Sequence, residues 1–248
     1  MTKINQLIRN WPKGTVKTVK ELQELGYSPQ LLKIYSNSKW IELYSRGIYK
    51  LYGDEISWQG LLYGMQKKKE TTLHAGGKTA LTLKGFAQYI KLGNDKVYLF
   101  SDRTENFRTW LNNNKYLVLK RTAIFNYKNK NYFTNSSTNQ YEIMISTPEL
   151  AIMEMLYLVP HEQSFEEASE IMEGLTTLRP KLVQKLLEEC KSIKIKRLFL
   201  FMAEFSNHAW VKELNVKNVN LGSGKRVVVQ KGVLDKKYKI TIPKLYAR

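Results

Sequence analysis

Residues Thr15–Leu51 read TVKTVKELQELGYSPQLLKIYSNSKWIELYSRGIYKL, and their signals run helix, sharp turn, helix, hairpin. Thr18 stands as N-cap of a short helix, with Glu21 three residues on to complete a capping box. Val19, Leu22 and Leu25 recur at helical spacing, and Gly26 supplies the stop. Ser28-Pro29 opens a second helix, with Ser as cap and Pro at the first helical position, where its missing N–H costs nothing. Leu31, Leu32 and Tyr35 are expected to face inward. Gln30, Lys33 and Asn37, spaced i, i+3, i+7, share the opposite face. Trp40–Tyr44 and Ile48–Leu51 follow as strand-like runs joined by Ser45-Arg46-Gly47. This is the order of a winged helix-turn-helix.

The outward face decides the chemistry. Amide side chains hydrogen-bond base edges in the major groove, and Lys and Arg neutralise phosphates on either side. Gln30, Lys33 and Asn37 are therefore the candidates to approach bases. Lys17, Lys20, Lys39 and Arg46, the last at the wing tip, are the candidates for phosphates; Ser28 and Tyr49 complete the DNA-binding set. Residues 1–52 hold nine Lys or Arg (3, 9, 13, 17, 20, 33, 39, 46, 50) against three Glu (21, 24, 42). The plainer reading is a small helical domain whose solvated basic face serves protein contacts. The turn, second helix and wing stand in the right order for double-stranded DNA, which favours the first reading.

Outward from this stretch, Lys3–Trp11 reads as a preceding helix and Gly53-Asp54-Glu55 as the domain exit, giving a division into 1–53 and 54–248. In the second part, helices are expected at Ser57–Lys67, Lys78–Tyr89, Leu150–Leu158 (opened by Thr147-Pro148), Ser164–Gly174, Arg179–Cys190 and Ile195–Phe205, the last running on toward Leu214. A helical turn is expected at Phe107–Leu111. Val97–Phe100 reads as a strand, and Tyr116–Phe125, Asn131–Phe133 and Tyr141–Ile145 alternate as half-buried antiparallel strands do. Two further strands are expected in the tail, Arg226–Gln230 and Tyr238–Ile242. The fold class is α+β: a winged helix-turn-helix, then a larger domain of helices and antiparallel sheet.

Forty Lys plus Arg against 22 Asp plus Glu give the 248-residue chain a net charge of +18. Such an excess favours a polyanion, and a nucleic acid before an anionic surface or acidic protein. A hydrophobic content of 43% supports a real core. One cysteine, Cys190, excludes an internal disulfide framework and a thiolate zinc cluster. The apolar runs Ala151–Val159 and Leu198–Phe205 are interrupted by Glu and too short to span a bilayer, so a cytoplasmic protein without a membrane partner is expected.

Catalytic signals fail on inspection. Gly76-Gly77-Lys78-Thr79 invites a phosphate-loop reading, but Thr72 stands where the loop needs its first glycine. His74, His161 and His208 lie far apart without partners at metal-ligand spacing. Leu221-Gly222-Ser223-Gly224 opens like a nucleotidyltransferase element, yet no Asp-x-Asp or Asp-x-Glu follows it. No enzyme, metal or cofactor is expected. Basic residues concentrate late in the chain, and Lys194, Lys196, Arg197, Lys225 and Arg226 form a candidate second basic surface, for a nucleic acid or an acidic partner, beside the plainer reading of a solvated face.

The pattern across both parts resembles the AbiEi family, the antitoxin and transcriptional regulator of bacterial type IV toxin–antitoxin, or abortive infection, systems. The resembling residues are Trp40-Ile41-Glu42-Leu43 with Arg46-Gly47-Ile48-Tyr49, His74-Ala75-Gly76-Gly77-Lys78-Thr79-Ala80-Leu81, Val97-Tyr98-Leu99-Phe100, Lys196-Arg197-Leu198-Phe199-Leu200, and Leu221–Arg226 with Lys237–Pro243. Lys39 departs from the family pattern, which has glycine there. The resemblance implies a winged helix that binds inverted repeats in its own promoter and represses the operon. It also implies a C-terminal domain that counters a nucleotidyltransferase toxin without necessarily forming a stable complex. The alternative is an interaction protein that sequesters a toxin or acidic partner directly through its basic C-terminal domain.

Overall fold

The computed structural model describes residues 2–68, 70–87, 96–107, 114, 116–138 and 140–247. The N-terminal elements are α1 (Lys3–Arg9), β1 (Val16–Thr18), α2 (Val19–Glu24), α3 (Pro29–Asn37), β2 (Ile41–Ser45) and β3 (Ile48–Leu51). The three strands form an antiparallel sheet in the order β1-β3-β2, the winged-helix arrangement. Leu7, Trp11, Leu22, Tyr27, Leu32, Tyr35, Ile41 and Leu51 make its core. The strand β1 is an addition to the expected elements.

The rest of the chain is a mixed layer of helices and sheet. After α4 (Trp58–Gln66) come β4 (His74–Ala75), α5 (Gly77–Leu83), β5 (Val97–Asp102), β6 (Leu117–Thr122), β7 (Phe133–Ser137) and β8 (Glu142–Ser146). The five strands order as β6-β5-β4-β8-β7. The β7–β8 pair is antiparallel, as expected, and so is β4–β5, whereas β5–β6 and β4–β8 are parallel, so this sheet is mixed. Alternation marks a strand but says nothing of its neighbour's direction. Helices α6 (Pro148–Leu158), α7 (Phe165–Gly174), α8 (Pro180–Glu189) and α9 (Ile193–Phe205) follow, with a two-stranded ribbon of β9 (Val233–Asp235) and β10 (Ile240–Ile242). The fold is α+β.

Several boundaries move. The first tail strand lies at Val233–Asp235, and Arg226 makes only an isolated bridge to Ile240. α9 stops at Phe205, and a separate 3-10 turn covers Ala209–Glu213. α5 ends at Leu83; the tail of the expected Lys78–Tyr89 helix and most of the expected turn at Phe107–Leu111 lie outside the described residues.

The winged helix is seated on α4. Val16 and Ile48 belong to the large core with Leu61, Leu62 and Met65, so the back of the small sheet is buried against this helix. The approach is close because Gly60 and Gly64 face β1 and the turn before it: a Cβ on Gly60 would lie 1.8 Å from the Gly14 carbonyl oxygen, and one on Gly64 2.5 Å from that of Val16. Gly14 N–H also donates to Asp54 Oδ2 at 2.8 Å.

Candidate nucleic-acid interface

Local chemistry builds the helix-turn-helix as the residues require. Thr18 Oγ1 accepts the Glu21 N–H at 3.0 Å. The return arm of the box is replaced, since Glu21 Oε1 takes Lys17 Nζ at 2.5 Å. Gly26, at φ +87, turns the chain out of α2. Ser28 Oγ then caps α3 by accepting the Leu31 N–H at 3.2 Å, with Pro29 at the first position. Leu32 and Tyr35 anchor the inner face of α3.

The end of α3 is a Schellman motif. Lys39 N–H donates to Ser36 O at 3.1 Å and Trp40 N–H to Tyr35 O at 3.0 Å, with Lys39 itself left-handed at φ +57. A lysine thus occupies the position that glycine fills at least cost. Its ammonium lies 5.8 Å from the Tyr52 ring centroid.

Gln30, Lys33 and Asn37 are exposed on one face of α3, and Lys20, Ser28, Lys39 and Arg46 are exposed around it. The hairpin is short: Gly47 O accepts the Val19 N–H at 3.0 Å, which pins the turn to the start of α2 and sets Arg46 beside Lys20's helix. Lys17 does not belong to this surface. It is held by Glu21 and lies 5.7 Å from the Trp11 ring centroid, with 11% of its side chain exposed, so the phosphate role expected of it is corrected. Tyr49 is half-buried and packs against the N-terminal core.

Three of the five residues proposed as a second basic surface are structural. Arg197 is 1% exposed; its Nε donates to Leu221 O (2.7 Å), Nη2 to Gly222 O (2.9 Å), and Nη1 to Gly224 O (2.6 Å) and Lys239 O (3.2 Å). Burial, with Arg226 nearby, lowers its pKa from the usual arginine value. Lys196 is buried and donates to Asn220 O. Lys194 Nζ donates to Tyr157 O and to Val159 O, and desolvation lowers its pKa. Lys225 and Arg226 alone stand exposed. The glycine-containing loop aims carbonyls at a cation, the reverse of a phosphate cradle, whose N–H groups face inward.

The Gly-Gly-Lys-Thr run has a structural account as well. Glu154 on α6, fully buried, places Oε2 3.0 Å from the Gly77 N–H and 2.6 Å from Ser146 Oγ, and Oε1 2.8 Å from His74 Nε2. A carboxylate therefore sits where a phosphate loop would hold its anion. A Cβ on Gly76 would lie 2.2 Å from Oε2, which leaves room only for glycine. His74 is thus not partnerless: Glu154, 80 positions later, is its carboxylate. The buried Tyr127 ring lies 5.1 Å from His74, and burial followed by the Glu154 charge raises its hydroxyl well above the usual phenol range. Among the described residues no group of three or more His, Cys, Asp or Glu is placed to hold a metal ion, and no helix is long and apolar enough to cross a membrane.

The winged-helix order, a capped α3 with a polar outer face and the surrounding exposed cations define a protein of the transcription-regulator class. Residues 94–243 match the family model described as "Transcriptional regulator, AbiEi antitoxin, Type IV TA system". Residues 1–92 match the model described as "Transcriptional regulator, AbiEi antitoxin N-terminal domain". The chain belongs to the AbiEi family of antitoxins and transcriptional regulators of type IV toxin–antitoxin systems. Its fold is similar to that in the crystal structure of the RV2827C protein from Mycobacterium tuberculosis, with a TM-score of 0.65 and 12% identity over 96% of this chain and 88% of that one. No curated protein sequence matches the chain.

Proposed function

We propose that the chain is a DNA-binding autorepressor of its own operon, and that it also counters a nucleotidyltransferase toxin without a catalytic step of its own. The observation that carries this reading is the division of α3, which buries Leu32 and Tyr35 and exposes Gln30, Lys33 and Asn37. In this reading Gln30, Lys33 and Asn37 approach bases in inverted repeats, while Lys20, Lys39 and Arg46 contact phosphates, with Ser28 at the start of the helix. Residues 1–53 serve the DNA and 54–248 the antitoxin role. Two copies on a palindrome would lie about one helical turn apart.

The test is a binding titration of the chain on its own upstream DNA against scrambled duplex, at two salt concentrations. A preference of about a thousandfold or more is expected. Equal, steeply salt-dependent binding to both duplexes would reduce the chain to a basic protein. Direct sequestration of a toxin through a basic C-terminal surface is the weaker reading. Lys194, Lys196 and Arg197 direct their charges at backbone carbonyls, so of the five residues named for that surface Lys225 and Arg226 remain exposed to form it.

A further inference from the structure

Ile34 stands on the outer face of α3 among the polar residues. It is 57% exposed, whereas its neighbours on the inner face, Leu32 and Tyr35, are 1% and 8% exposed. It lies four residues after Gln30 and three before Asn37, directly beside Lys33, so all four share one face of a nine-residue helix. In water this position gains nothing from isoleucine. A β-branched side chain is a poorer helix former than Lys, Gln or Ala, and its apolar surface stays wet.

The major groove offers such a side chain one partner of its own kind. Each thymine presents a C5-methyl there, the single apolar mark in an otherwise hydrogen-bonding code, and cytosine lacks it. Gln30 and Asn37 carry amides that match adenine, the base paired to thymine. We propose that Ile34 is a specificity-determining residue that reads a thymine methyl between the base contacts of Gln30 and Asn37. This rests on the DNA-binding reading above.

Deoxyuridine tests it, because it keeps every hydrogen-bonding group of thymine and deletes only the methyl. The chain and its Ile34→Ala variant are titrated by anisotropy on the upstream duplex. Each thymine of one half-site is replaced by deoxyuridine in turn. Ala is the better helix former at this exposed position, so the variant folds, and its thermal unfolding checks that. At one thymine or two neighbouring ones, the wild-type chain is expected to lose about fourfold in affinity, the value of one buried methyl. The variant should bind the thymine duplex more weakly and no longer distinguish the substituted one. Wild-type affinity unchanged at every position would overturn the inference alone, as would a variant that still discriminates as the wild type does. No preference of the wild-type chain for upstream over scrambled DNA would overturn the regulator reading and this inference with it.

Discussion

His74 Nε2 lies 2.8 Å from Glu154 Oε1, and neither side chain has any solvent exposure. Nδ1 of the same ring sits 2.6 Å from the Thr72 carbonyl, which only accepts, so Nδ1 is the donor of that bond. Glu154 also takes the Gly77 N–H and the Ser146 hydroxyl, so one carboxylate joins β4, the start of α5, β8 and α6. Glu154→Ala strands three buried polar groups at once and should cost about 3–5 kcal/mol. Glu154→Gln keeps an accepting oxygen and should cost less. Urea unfolding measures both, and a loss under about 1 kcal/mol for the alanine variant would contradict the role.

Glu149 gives stability a pH dependence of known sign. Burial raises its pKa, but the Arg179 side chain and backbone N–H outweigh it, and the net shift is downward. A carboxyl lowered in the folded state contributes stability that is full above the unfolded value of about 4.3 and is lost as pH falls through the lower native one. Arg179 is 60% exposed, so solvent screens part of the pair. Glu149→Gln should cost about 1–3 kcal/mol near pH 7. That difference should shrink below about pH 4. A gap that stays constant to pH 3 would remove Glu149 from the acid transition.

Lys39 holds the left-handed position of the Schellman motif at the end of α3. A non-glycine residue there costs about 1 kcal/mol. Lys39→Gly is therefore expected to raise stability by about 0.5–1 kcal/mol, offset in part by the greater freedom glycine gives the unfolded chain. The same change removes a cation from the proposed phosphate-facing set. A higher unfolding midpoint together with weaker, less salt-sensitive DNA binding is expected. A lower midpoint would mean that the Tyr52 contact outweighs the strain.

Local signals were legible in the sequence and distant pairings were not. Ser28-Pro29, Gly26 and the α3 pattern each act within a few residues, and the helix-turn-helix follows from them. Val16–Thr18 does not read as a strand because its partner, Ile48–Lys50, lies 30 to 34 positions away and β1 runs into α2 without a turn. Glu154 was hidden in the same way, 80 residues from the histidine it serves. Arg197 misled for another reason. Basic residues beside Leu198 and Phe199 resemble a solvated helix face, yet Ile195–Ala203 of α9 is buried all round. The glycine pair Gly60 and Gly64, at i and i+4 of α4, is the sequence mark of a close backbone approach, to Gly14 and to Val16.

Arg197 separates a structural clasp from a binding surface. Arg197→Met leaves the carbonyls of Leu221, Gly222 and Gly224 without their donor, while Lys239 O keeps the Arg226 N–H; a loss of about 3 kcal/mol or more is expected. The effect should appear first in the loop the guanidinium holds, as faster tryptic cleavage after the exposed Lys225 and Arg226 than in the wild-type chain. Were Arg197 instead part of a polyanion surface, the variant would keep the loop resistant and lose retention on heparin.

Arg46 and Asn37 have different expected costs because phosphates and base edges carry different information. Arg46 is exposed at a turn pinned to the start of α2, where, on the proposed reading, its guanidinium would meet backbone charge whatever the sequence. Arg46→Ala should weaken binding to upstream and scrambled duplex alike and reduce the salt slope by about 1. Asn37 lies on the outer face of α3 with an amide suited to adenine, and Asn37→Ala should cost about 1–3 kcal/mol on the upstream duplex while leaving the scrambled one nearly unchanged. Paired titrations at two salt concentrations read both quantities from the same experiment. Equal losses on both duplexes for Asn37→Ala would move that residue from base reading to the phosphates, and the register of α3 in the groove would have to turn toward Gln30 and Lys33.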